Sequence, residues 1–257
     1  MKVLFFLVAV LCSMALAVSS WSGDGELLNY DSDELQRLNP AQLNDLGARY
    51  VTGDGVEKNY DFARILWLKA AEHGHAGAQY NLGQMYSTGT GVERNHAIAA
   101  SWYEKAANAG DRLAQFNLGL MYETGNGVEQ DYAKAFALYE KSAFQGLAEA
   151  QNSYGRLYEM GKGTNQDIEM AKKWYRLSAL QGYVLAQSNL GFQIFAGRTV
   201  EDDLIEAFAW LSLAAQQDNA IAKAHLYELT NMMNQRQVDQ GRKMAFELWT
   251  KIKGLNK

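Results

Sequence analysis

The sequence predicts an all-α fold of stacked helix pairs, and three observations carry that prediction. Glycines with the same apolar neighbours recur every 36 residues. Each interval reads as two amphipathic helices joined by a Gly-x-Gly turn. Only one proline, Pro40, occurs in 257 residues, and proline is the residue that helix interiors exclude.

The chain opens with features of an export signal. Lys2 supplies a positive start, and Val3 to Leu16 is apolar except for Ser13. Ala15-Leu16-Ala17 is a small-x-small cleavage site. The alternative is a membrane anchor, but the apolar run is shorter than the roughly 20 residues that span a bilayer. Cleavage after Ala17 would remove Cys12, the only cysteine, and leave no thiol chemistry. Residues Ala9-Val10-Leu11 lack the small residue expected ahead of a lipidated cysteine. Residues 18–41 are polar, with one short helix expected at Asp33–Leu38. No later segment is long and apolar enough to cross a membrane.

The repeats come next. Gly47, Gly83, Gly119, Gly155 and Gly191 follow Leu46, Leu82, Leu118, Tyr154 and Leu190. Three residues later stand Tyr50, Tyr86, Tyr122, Tyr158 and Ile194. A second glycine follows at Gly53, Gly89, Gly125, Gly161 and Gly197, and a third at Gly55, Gly91, Gly127 and Gly163, with Thr199 in the last copy. The second half of each copy begins with Asn59, Asn95, Asp131, Asp167 or Asp203, residue types that cap helix N-termini. It continues through alanine (Ala63, Ala99, Ala135, Ala171, Ala207) to a large pair: Leu66-Trp67, Trp102-Tyr103, Leu138-Tyr139, Trp174-Tyr175 or Trp210-Leu211. A small pair follows, and the copy closes at Gly74, Gly110, Gly146, Gly182 or Asp218.

Each copy therefore reads as helix A, a tight turn and helix B, and such a pair buries its apolar face only by stacking on neighbours. Glycine inside helix A costs about 1 kcal/mol against alanine, a cost that close approach of a second element would offset. The units fall at roughly 42–77, 78–113, 114–149, 150–185 and 186–221. Residues 222–257 lack the glycines and offer a short helix at 222–230 and a longer one at 234–253. Gln235, Arg236, Gln240, Arg242 and Lys243 give this end the polar outer side of a terminal cap.

The pattern Leu82-Gly83, Tyr86, Gly89-x-Gly91-Val92, Ala99, Trp102, Lys105-Ala106-Ala107, Gly110 resembles the Sel-one-like repeat family, relatives of the tetratricopeptide repeats. The resemblance covers about residues 42–221. It implies a right-handed α-solenoid with a concave groove lined by helices A, and a role as an adaptor that assembles protein complexes.

On a helical wheel, Ala78, Leu82, Gly83, Met85 and Tyr86 share the core side of a helix A. Tyr80, Gln84 and Ser87 lie on the other side. Their equivalents differ from copy to copy: Phe116, Leu120 and Glu123; Asn152, Arg156 and Glu159; Ser188, Phe192 and Phe195. Exposed aromatics and arginine are favoured at binding hot spots. Tyr80, Gln84, Phe116, Leu120, Asn152, Arg156 and Phe192 are therefore the candidate partner-binding residues, for an extended or helical segment of a protein.

Other chemistries find little support. After signal removal 23 basic face 29 acidic side chains, a net charge of −6, which gives no long-range attraction for nucleic acid. The histidines are His73, His75, His96 and His225. His73 and His75 form an H-x-H pair in a turn, without the ligands that would complete a metal site. The Gly-x-Gly turns join two helices and lack the lysine of a phosphate-binding loop. No G-x-S-x-G occurs. No catalytic residue, cofactor or metal is expected, and the reading is a periplasmic or secreted protein-binding scaffold rather than an enzyme. The alternative is a peptidoglycan- or glycan-directed binding protein or hydrolase. Some cysteine-rich relatives are linked to cell-wall binding, but the paired cysteines they carry are absent from this sequence. The identity of the partner and the oligomeric state stay open.

Overall fold

The computed structural model describes residues 32–197 and 201–255. The expected signal segment 1–17 with Cys12, the polar stretch up to residue 31, and Thr199 lie outside the described residues. A short helix α1, Ser32–Arg37, falls in a separate compact unit ending at Asn39. It starts one residue before the expected helix.

From Pro40 onward the described residues form twelve helices and no strand. The helices A are α2 (Pro40–Thr52), α4 (Ala76–Thr88), α6 (Arg112–Thr124), α8 (Ala148–Met160) and α10 (Val184–Ala196). The helices B are α3 (Tyr60–Glu72), α5 (His96–Asn108), α7 (Tyr132–Phe144), α9 (Ile168–Leu180) and α11 (Glu201–Gln216). Each packs on its neighbours in sequence, the α-solenoid of stacked pairs that the repeats predict. Helices α12 (Ala220–Met232) and α13 (Gln235–Leu255) close the stack.

Most helix boundaries follow from the capping residues. Asn59, Asn95, Asp131 and Asp167 each accept a backbone N–H of the first turn at 2.9–3.0 Å, an interaction worth about 1 kcal/mol. Their own N–H groups donate back to the carbonyls of Tyr50, Tyr86, Tyr122 and Tyr158 at 2.9 Å, which closes each hairpin. Asp203 departs from the pattern: α11 already runs from Glu201, so Asp203 lies inside the helix. Helices A also begin two residues ahead of the unit boundaries drawn from the sequence. His75, Asp111 and Asn219 cap three of them through their side chains, so His75 has a structural task in the turn. The first helix A opens at Pro40, the position where a missing N–H and a fixed φ suit a helix start.

The glycine within each helix A answers a bulky side chain in helix B, a ring in four of the five pairs. A Cβ on Gly83 would lie 2.6 Å from Tyr103, and one on Gly119 would lie 2.8 Å from Tyr139. Gly155 meets Tyr175, Gly47 meets Trp67 and Gly191 meets Leu211 in the same way. These partners are the second member of each large pair, and all are buried. At the ends of the units Asp218 takes the place of Gly182 and its equivalents, holding a left-handed φ of 63°.

A second set of residues repeats inside the stack. Gln79, Gln115, Gln151 and Gln187 are buried, and each donates through Nε2 to the carbonyl eight residues earlier at 3.2–3.3 Å. The last three accept at Oε1 from Gln145, Gln181 and Gln217 of the next turn at 2.8–3.0 Å. In the first of these sites Ala109 stands where the others have glutamine, and Gln79 Oε1 is left without a partner.

The short and the longer helix expected after residue 221 are α12 and α13. Helix α12 continues the series of helices A, but Tyr227 occupies the glycine register and is 74% exposed. Helix α13 starts with a reciprocal cap between Asn234 and Gln237. It then packs along α11, with Gly241 against the Phe208 ring. The polar residues Gln235, Arg236, Gln240, Arg242 and Lys243 face outward as expected.

The backbone at Ala109 matches that at Gln145 within about 5° in each angle. Ala109→Gln should therefore place an amide on Gln79 Oε1 and raise stability by about 1 kcal/mol, measured as a higher urea midpoint. Loss of stability would show that the site cannot accept the fourth glutamine rung.

Candidate functional site

Like helices of neighbouring units approach one another on the A side. Helix α4 lies close to α6, and α10 lies close to α12. Side-chain bonds run along the same side: Asn81 to Asn44 at 2.9 Å and Asn189 to Asn152 at 3.0 Å. On the B side long side chains bridge the gap, as where Phe144 meets Trp174 edge-on at 5.1 Å. The seven candidate residues all lie on helices A, α4 to α10.

The seven candidate residues separate into three groups on this surface. Tyr80 lies over the Tyr103 ring and Phe116 over the Tyr139 ring, at 5.8 and 5.7 Å between centroids. Both are half-buried, partly committed to packing. Asn152 is buried, only 6% exposed, and its Oδ1 accepts the bond from Asn189. The wheel placed it on an open stripe, but in this copy the asparagine lies among the units. Its equivalent Ser188, and Phe195 further along the same helix, are also buried. The remaining four are Gln84, Leu120, Arg156 and Phe192, one on each of α4, α6, α8 and α10 at 36-residue intervals; Arg156 is half-buried like Tyr80 and Phe116. Gln84 is exposed, Leu120 is 44% exposed and Phe192 36%. Phe192 rests one face on the His225 ring at 4.6 Å.

Arg156 belongs to a polar network that joins α6, α7 and α8. Its Nη2 donates to Glu123 Oε1 at 2.5 Å, while Tyr139 Oη donates to Glu123 Oε2 at 2.8 Å. One unit later Glu159 accepts from the Tyr175 hydroxyl and from Gln193 Nε2, the latter at 2.7 Å. Burial opposes the charge of Arg156, but the bond to Glu123, the charge of that carboxylate and the Tyr139 and Tyr175 phenols together outweigh it and raise the arginine pKa. Burial, then Glu123, pushes the Tyr139 phenol up, and burial, then the bond to Glu159, does the same to Tyr175. In the preceding copy Ser87 takes the register of these glutamates. Tyr103 is pushed up to about 12 there, by burial and secondarily by the Tyr80 phenol.

These groups hold each other; none is aimed at a common reacting atom. Among the described residues no cluster of His, Cys, Asp and Glu could hold a metal ion, and no helix is long and apolar enough to cross a membrane. The asparagines at 81, 117 and 189 and the glutamine ladder recur at the same interval as the glycines. That interval was the signal that could have revealed both sets.

The Sel1 repeat profile matches residues 43–75, 76–111, 112–147, 148–183 and 184–219. The chain belongs to the Sel1 repeat family. Sel1 repeat proteins generally mediate protein–protein interactions, and their solenoid is typically a non-enzymatic scaffold. The profile starts each full repeat at the first residue of helix A, in agreement with the helix boundaries.

Two solved Sel1-type structures resemble the chain. The protective antigen c5321 of uropathogenic Escherichia coli has 31% identity and a TM-score of 0.73, covering 89% of this chain and 50% of that one. The chain thus spans about half the length of c5321. A Sel1 repeat protein from Oxalobacter formigenes has 31% identity and a TM-score of 0.70, covering 85% of this chain and 87% of its own. No curated protein matches the sequence.

The raised phenol pKa values predict alkaline sensitivity. Below pH 10 Tyr103 is neutral whether folded or unfolded, so its contribution is complete. Above that, only the unfolded chain ionises readily, and stability falls as pH climbs through about 12. Urea midpoints should drop across this window, and Tyr103→Phe should reduce the drop. An equal drop in that variant would contradict the assignment.

Proposed function

We propose that this Sel1 repeat protein is an exported scaffold that holds a segment of a protein partner in the groove lined by helices A. The observation that carries the reading is the contrast within a single register. Gln84, Leu120 and Phe192 are exposed, Arg156 is half-buried, and the four differ chemically from one another, while the neighbouring positions Leu82, Gly83 and Met85 and their equivalents are almost uniform and buried. A stack that needs only sameness leaves this position free to vary, and variation along a line gives a surface that can read a sequence.

The four residues also suggest what the segment carries. Leu120 and Phe192 offer apolar contact on either side of Arg156, which Glu123 holds in place. A segment with apolar side chains two repeats apart, separated by an acceptor for the guanidinium, complements that order. The N-terminal export features support placement in the periplasm or outside the cell.

A photoreactive residue at position 84, flanking these contacts, should capture a protein segment from the native envelope. With that segment as a purified ligand, Leu120→Ala combined with Phe192→Ala should weaken binding roughly tenfold or more while the helical circular dichroism is unchanged. Unchanged affinity would remove the groove assignment. Retention on purified cell wall that depends on the same residues would favour a glycan-directed protein instead.

A further inference from the structure

Every helix A from α2 to α10 is covered along one side by its own helix B. Helix α12 is the exception among the described residues, because α13 packs along α11 rather than along α12. A wedge-shaped cavity of about 600 Å³ remains between α11, α12 and α13. Phe208, Leu213 and Leu226 line its walls, and Phe246, Trp249 and Arg242 line its α13 side.

The mouth of this wedge has an unusual composition for a solvent-facing cap. Phe246 is 66% exposed and Trp249 45%, and their rings lie 6.1 Å apart and nearly parallel. The Lys253 ammonium sits over the Trp249 ring at 5.5 Å. Arg242 is the charged residue that lines the cavity, and its guanidinium pairs with the Asp239 carboxylate at 3.4 Å along the same helix. Helix α13 as a whole carries five basic side chains against two acidic ones, within a chain of net charge −5.

We propose that this wedge is a second docking site, separate from the groove, for an amphipathic helix of a protein partner with acidic residues flanking its apolar face. The position argues for a helix, since the wedge opens beside the one helix A that, among the described residues, has no helix B packed along it. Apolar side chains of the partner would enter between Leu226 and Phe246, the aromatic pair would cover them, and Arg242 and Lys253 would meet carboxylates at the rim. Exposed aromatics beside a guanidinium are the residue types that dominate binding energy at interfaces, and apolar side chains recurring along one face are how a helix fills a groove.

The test uses a displayed library of helical peptides selected against the full chain. Enriched peptides should carry large apolar residues at helical spacing with Asp or Glu alongside. Their affinity should fall roughly tenfold or more in Phe246→Ala/Trp249→Ala and in Arg242→Glu, and stay unchanged in Leu120→Ala/Phe192→Ala. Phe246 and Arg242 are largely exposed and Trp249 is 45% exposed, so circular dichroism should report an intact fold in each variant. Failure to enrich any peptide, enrichment of basic peptides, or indifference to the wedge substitutions would overturn the proposal. So would binding to phosphatidylglycerol vesicles, or self-association, that disappears with Phe246 and Trp249; those results would assign the patch to a membrane or to a second copy of the chain.

Discussion

Between paired helices A and B, a glycine backbone meets a bulky side chain, and at Gly47, Gly83, Gly119 and Gly191 the spacing leaves no room for a methyl group. Gly119 and Tyr139 show why this matters. The Tyr139 ring is fully buried and lies against the glycine, while its hydroxyl is held by Glu123 at 2.8 Å. Tied at one end and enclosed along its length, the ring cannot swing aside. The glycine notch therefore sets the distance between paired helices, and that distance sets where the next unit begins. Repetition at a constant interval of 36 residues keeps the geometry uniform along the stack.

The polar ladders fasten what the notches space. Buried glutamine amides take up carbonyls at the ends of helices B, and the Glu123 and Glu159 carboxylates take up the phenols. Buried polar groups left unpaired cost about 1–3 kcal/mol each, so satisfied ladders favour one register of stacking over a slipped one. The same network takes up Arg156 through Glu123. Gln84, Leu120 and Phe192 stay exposed, and the proposed recognition by the groove rests on them and on the half-buried Arg156. At the far end α13 breaks the rule of pairing, and the apolar wedge beside α12 follows directly from that break.

Much of this was legible from spacing alone. Gly83 and its equivalents, the caps at Asn95 and Asp131, and the alanines facing the core all follow from the repeat interval and helix chemistry. The glutamines at 79, 115, 151 and 187 were just as periodic, but glutamine is so often a surface residue that its period carried no message of burial. Asn152 shows the converse. A wheel assigns one face to every copy alike, whereas Asn152 is drawn in by its bond to Asn189, a residue one unit away. Asp203 has the right residue type at the right interval, yet α11 begins two residues before it. The path of α13 depends on contacts between segments distant in sequence, such as Gly241 with Phe208, which no local pattern encodes.

The most direct measurement is a double-mutant cycle at the notch, with Gly119→Ala made in the wild-type chain and in Tyr139→Ala. Overpacking against the ring should make the alanine destabilising by about 1–3 kcal/mol when Tyr139 is present. With the ring gone, the helix preference for alanine should show through, and the same substitution should stabilise by about 1 kcal/mol. A change of equal sign and size in both backgrounds would mean that the glycine and the ring do not set the spacing of the stack.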